Sequence, residues 1–262
     1  MNFFFSFCTE NYSTLATIPK FKNYTNSAKN INLYEIIISD NLWKVSRVKC
    51  DEDKDFFYYN ADFGKKSFHM LFLSKENSLN SNYNKIREEL IPIDNYTKTF
   101  PDFRCNLKIK NKIGGFSSYQ SEYPFEMIEK NGIIVSQANI LLNFNADINK
   151  IFFVNIYKQP IKKAFNAFLI NKRLEKIISK YVFYTNELNE INVDINKDFF
   201  DEDVYLITEN YLGIPIFLSE KNGQISFEHT HPMHEFLIHK NRYNDTKKIK
   251  NEFVKILKKN FS

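Results

Sequence analysis

Asn222-Gly223 constrains the fold of this chain more than any other pair of residues. It separates residues 214–221 from residues 224–231, two runs rich in β-branched and aromatic side chains. Asn and Gly tolerate the positive φ angles of a two-residue turn, so the segment predicts a tight antiparallel hairpin. That turn sets a register, with Leu218 opposite Phe227 and Ile216 opposite His229. Side chains alternate faces along a strand, so Ile216, Leu218, Ile225, Phe227, His229 and His231 share one face. The two histidines therefore extend an apolar row that points toward an interior or a cleft.

The same pattern recurs elsewhere. Residues 2–8, 33–39, 42–49, 56–59, 67–73, 104–113, 151–157 and 204–208 read as strands, and Asp40-Asn41 closes a second hairpin. Pro124 opens a short helix that Asn131-Gly132 closes. Another short helix is expected over residues 84–90, limited by Pro92. After Pro160 the apolar residues Ile161, Ala164, Phe165, Phe168 and Leu169 follow helical spacing, which Leu174, Ile177, Ile178 and Tyr181 resume after a slip. The spacing predicts a helix over 161–181, with a hairpin turning at Asn171-Lys172 as its competitor. Ile249, Phe253, Val254, Ile256, Leu257 and Phe261 form one stripe of an amphipathic C-terminal helix, capped by Asp245 or Thr246. The fold class expected is α+β and β-rich, with sandwich- or barrel-like antiparallel sheets and a few helices. One domain spans residues 1–262, and the linker-like stretch 74–84 is where a subdomain boundary would fall. No internal repeat is legible.

Composition narrows the partners. Of the net charge of +5, +4 sits in residues 244–262. The remainder is nearly neutral, which disfavours a groove tracking nucleic-acid phosphates. Cys8, Cys50 and Cys105 are widely spaced and form no CxxC pair, which fits free thiols in a reducing cytosol. No stretch approaches the length of a membrane span, and the N-terminus does not read as a secretory signal. A cytoplasmic protein is expected.

Four of the five histidines, His229, His231, His234 and His239, lie within eleven residues, with Glu235 among them. Two imidazoles two residues apart on one strand face can converge on an ion. A carboxylate four residues on completes a set suited to zinc, iron, manganese or nickel. His229, His231 and Glu235 are the expected ligands of a divalent metal ion, and Glu235 and His234 the expected catalytic groups. Gly223-x5-His229-x-His231-x3-Glu235 resembles the first metal motif of cupins, small β-barrels with three-histidine, one-glutamate sites. The resemblance covers thirteen positions. Arg242 stands where the family has its closing Gly, and the second motif has no room before the terminal helix, so no membership is assigned.

A second stretch carries a glycine pair in a glycine-poor chain. Gly114-Gly115 precedes Ser117, Ser118, Tyr119, Gln120 and Glu122. Glycines let backbone approach a ligand, and these side chains could grip a small polar substrate such as a carbohydrate. A plain loop is the competing reading. Asp51-Glu52-Asp53 reads as a solvated acidic turn.

The function expected is a metal-dependent enzyme acting on a small polar substrate. Its metal would serve as Lewis acid or activate water, with Glu235 as ligand or general base. The alternative is a non-catalytic binding or assembly protein with structural histidines. Convergence of the histidines and a carboxylate on one cavity separates the two.

Overall fold

A computed structural model describes residues 2–23, 26–27, 31–74, 79, 83, 86, 104–129, 131–194, 203–229 and 240–261. The first half of the chain forms β1 (Asn2–Cys8), β2 (Tyr12–Pro19), β3 (Phe21–Asn23), β4 (Asn26–Ser27), β5 (Asn32–Ser39), β6 (Leu42–Arg47), β7 (Asp51–Glu52), β8 (Phe56–Ala61), β9 (Ser67–Ser74), β10 (Cys105–Asn111), β11 (Phe116–Ser121), β12 (Tyr123–Pro124) and α1 (Phe125–Glu129). The second half forms β13 (Val135–Gln137), β14 (Ile148–Val154), β15 (Ala164–Asn171), β16 (Lys176–Tyr184), β17 (Leu188–Asn192), β18 (Val204–Thr208), β19 (Ile214–Lys221), β20 (Gln224–His229) and α2 (Lys240–Phe261).

The strand orders reveal one topology used twice. Within the first half, one sheet contains the order β1-β9-β5-β6 and the other β11-β10-β2-β8. The second half has β13-β18-β15-β16 and β20-β19-β14-β17. Taken in chain order, β1, β2, β5, β6, β8, β9, β10 and β11 correspond one to one with β13 through β20. Every neighbour pairing is reproduced, and all are antiparallel. The β3–β4 ribbon and the short edge strands β7 and β12 decorate the first unit only. The chain therefore repeats one eight-stranded, two-sheet topology, although no repeat is legible in its residues. Pairing topology depends on which strands meet, and many different apolar strings satisfy it. The linker-like stretch at 74–84 leads from β9 toward β10, inside the first unit.

The two units meet through equivalent parts. Tyr119 and Phe227 are each the fourth residue of their strand, β11 and β20, and their rings meet across the junction with centroids 5.1 Å apart, tilted by 60°. The turns that precede these strands also touch. Asn111 Nδ2 donates to Gly223 O at 2.8 Å, while Asn111 Oδ1 accepts from Gly115 N at 2.7 Å. Phe152 of β14 inserts its ring between Phe7 and Tyr12 of the first unit. One core cluster therefore runs from Phe3, Phe5 and Phe72 through Phe152, Ile216 and Phe227. A second cluster fills the second unit, around Phe153, Phe165 and Phe183.

The fold is β-rich with antiparallel sheets, as the alternation implies. The helix expected over 161–181 is instead the hairpin of β15 and β16. Its 3.6-residue spacing was accidental: Phe165, Ala167 and Leu169 face one core, while Phe168 and Ile170 face another. A strand buried on both faces loses its alternation, and its apolar run mimics a helix. α1 forms where Pro124 opens it. α2 lays Phe253, Ile256 and Leu257 on Phe168, Ile170 and Ile207 of β15 and β18. It begins at Lys240, so Asp245 and Thr246 lie inside it and do not cap it. The helix expected at 84–90 lies outside the described residues except for Ile86.

Candidate functional site

The C-terminal hairpin forms with the expected register, Leu218 opposite Phe227 and Ile216 opposite His229. His229 is consequently carried into the junction between the units. Its ring stacks on Tyr119 with centroids 4.1 Å apart and an interplanar angle of 29°. Burial first, and the charge of Arg104 second, pull its pKa down to about 4. His231, His234, Glu235 and His239 lie outside the described residues.

The metal-enzyme reading is corrected at this point. Among the described residues no three His, Cys, Asp or Glu side chains come together to hold a metal ion. His229, the one expected ligand that is described, packs its ring against an aromatic neighbour at a seam of the core. An apolar row that continues into a histidine fits a packed interior as well as a cleft, and the sequence alone does not separate the two.

His229 makes a pH prediction. Below pH 6.5 an unfolded imidazole takes a proton that the folded one refuses until about pH 4. In that window the unfolded state binds more protons, so stability falls as the pH falls. The loss is roughly 2 kcal/mol once partial exposure is allowed for. Urea midpoints at pH 7 and pH 4.5 should differ less in His229→Gln than in the native chain. Identical differences would show that this imidazole titrates normally.

The Gly114–Glu122 stretch is a hairpin turn and a strand. Ser118 and Gln120 are exposed and Ser117 is half-buried, whereas Tyr119 is core. Glu122 is buried and ion-paired to Arg104 at 3.3 Å. The close backbone approach that the glycine pair permits is real, but its partner is the chain itself. A Cβ on Gly115 would lie 1.7 Å from Gly223 O.

Comparison of the two units exposes a different feature. Strand β6 forms the outer edge of its main pairing order in the first unit, and the chain covers it. Trp43 and Tyr83 exchange both backbone hydrogen bonds, at 2.7 and 2.9 Å, and Trp43 is fully buried. The equivalent edge of the second unit is β16, which among the described residues pairs only with β15. The reason lies in chain length. The covering residue Tyr83 comes from the long connection between β9 and β10, residues 75–104. In the second unit β18 reaches β19 through residues 209–213, too few to return to β16.

This edge is apolar as well as long. Ile178, Val182 and Tyr184 are 44%, 54% and 43% exposed, and Leu174 in the hairpin loop is 61% exposed. Lys176 and Lys180 interrupt the row. Lys180 places its ammonium over the rings of Phe168 and Phe261, at 5.9 and 5.2 Å. A register shift between Leu169 and Ile170 bends the hairpin. Lysines and bulges are the usual protection of a bare edge against indiscriminate pairing. Nothing in the residue string distinguishes this strand from its covered counterpart; the unequal connections are the one legible hint.

No family model, no curated protein and no solved structure matches this chain. No helix among the described residues is long and apolar enough to cross a membrane.

Proposed function

We propose that this protein is a binding or assembly protein that takes up an extended segment of a protein partner along β16. The observation that carries the reading is the bridge that covers β6 at Trp43 and has no equivalent on β16 among the described residues. At the equivalent edge the fold accepts an antiparallel bridge, Trp43 to Tyr83, through two backbone hydrogen bonds, so the second unit offers a like template to another chain. Strand addition draws affinity from main-chain bonds and specificity from alternate side chains.

The charge on this edge selects the partner's chemistry. Residues 172–180 carry Lys172, Arg173, Lys176 and Lys180 against Glu175 alone. A segment whose carboxylates and apolar side chains take turns along one strand face, a four-residue period, sets acids against Lys176 and Lys180 and apolar groups against Ile178 and Val182, which share one face of β16. Self-pairing centred on the strand brings Lys180 opposite or beside its own copy, and like charges across strands are unfavourable.

The test uses a fluorescent eight-residue peptide, Glu-Thr-Val-Thr-Glu-Thr-Val-Thr, whose acids and valines take turns along one strand face. Fluorescence anisotropy should report saturable binding to the full chain, weakened at least 10-fold by Ile178→Lys/Val182→Lys. Those positions are exposed, so the double variant should melt like the native protein. Absence of binding, or equal affinity of the variant, would remove this reading. A dimer in light scattering that the double variant dissolves would replace the partner segment by a second copy.

A further inference from the structure

The first unit holds an ionisable cluster on β1, β5 and β9 that the equivalent strands β13, β15 and β18 do not repeat. Within that unit's sheet, β9 supplies Ser67 and His69 two residues apart on one face. β5 supplies Glu35 and β1 supplies Cys8, which pairs with Ser67. Tyr59 reaches in from β8 of the facing sheet. His69 Nδ1 is 2.7 Å from Glu35 Oε1 and 2.8 Å from Tyr59 Oη. His69 Nε2 is 2.9 Å from Ser67 Oγ, and Cys8 Sγ is 3.1 Å from the same oxygen.

The corresponding strands of the second unit, β13, β15 and β18, read VSQ, AFNAFLIN and VYLIT. They contain no acidic, basic, histidine or cysteine residue, so these three strands pair without the carboxylate, imidazole and thiol that their counterparts carry. A partly buried ion pair is a weak source of stability, because desolvation offsets most of the attraction. The cluster therefore calls for a chemical explanation.

Its geometry fixes the proton positions. A carboxylate 2.7 Å from Nδ1 places the imidazole proton there, with Tyr59 Oη as a second acceptor. Nε2 then presents its lone pair to Ser67, whose hydroxyl donates to it. Burial first, and the Glu35 charge second, hold the Tyr59 phenol protonated. The His69 and Glu35 side chains remain 25% and 21% exposed, and Ser67 is half-buried, so the hydroxyl lies within reach of a small molecule.

We propose that Ser67 is an acyl-accepting nucleophile, with His69 as its general base and Glu35 as the residue that positions the imidazole. The substrate class is a small carboxylic ester. Ser67 Oγ attacks the carbonyl carbon while its proton passes to His69 Nε2. The tetrahedral adduct expels the alcohol, which takes that proton, and leaves the acyl group on Ser67. Water attacks the acyl carbon, loses its proton to Nε2, and the acid departs as Ser67 recovers its proton. The chain Glu35, His69, Ser67 has the hydrogen-bond order that such a mechanism requires. It is independent of the β16 reading, since it lies in the other unit.

The experiment exposes the full chain to a fluorophosphonate probe and, separately, to p-nitrophenyl acetate. Mass spectrometry should place one adduct on Ser67. Ser67→Ala should abolish it, and His69→Gln should slow it about 100-fold. Glu35→Gln should lower kcat for the ester without raising KM, a split that a purely structural role would not produce. Failure of the folded native chain to label at Ser67 would overturn the proposal. So would an unchanged labelling rate in His69→Gln.

Discussion

Phe152→Ala is expected to lower stability by about 3–5 kcal/mol, the cost of emptying a fully packed aromatic site. Phe152 is completely buried, and its ring lies 5.1 Å from that of Phe7 and 6.0 Å from that of Tyr12. Both neighbours belong to the other unit, so the cavity would open in the seam itself. Tyr12 is fixed there by its hydroxyl, which donates to Glu220 Oε2 at 2.9 Å, so it cannot easily follow the missing ring. Urea denaturation should show the midpoint falling with the slope unchanged. Ile148→Ala, on the same strand but 40% exposed, should cost under about 1 kcal/mol. A loss that small at Phe152 would mean that the units do not share a core.

Gly115→Ala is expected to cost about 3 kcal/mol, at the upper end for overpacking. The added methyl would meet Gly223 O at 1.7 Å and its carbonyl carbon at 2.9 Å. These are backbone atoms of a turn in which Asn222 and Gly223 already hold positive φ, so the turn cannot yield by rotating a side chain. The same carbonyl accepts the Asn111 amide, and the clash breaks that bond as well. Gly64→Ala is the control, because its nearest contact is at 3.9 Å. Thermal melts should separate the two variants. Hydrogen exchange in Gly115→Ala should rise in β11 and β20 together. Exchange confined to β11 would show that the turns are not coupled.

The elements legible in the sequence were those whose cause is local. Asn222-Gly223 and Asp40-Asn41 both form tight turns with positive φ at the expected residues, because turn chemistry depends on two adjacent side chains. β18 and α1 follow in the same way from a β-branched run and a proline. The region 161–181 misled because β15 is buried on two faces, so its apolar run carries no alternation. His229 lies opposite Ile216 as expected, yet what its face meets was set by Tyr119, more than one hundred residues away.

The sequence alone therefore determined the class of structure: antiparallel strands, the register of the last hairpin and an amphipathic final helix. Each rests on interactions among neighbours in the chain. Only the tertiary structure decided that the strands form one topology twice, that Gly115 packs on the other unit's turn, and that β6 gains a bridge to Tyr83 while β16, among the described residues, pairs only with β15. It also brought Glu35, Tyr59, Ser67 and Cys8 around His69 from four strands. Those outcomes depend on which distant strands pair, and pairing is selected by the packing of whole sheets, which no local window of residues encodes.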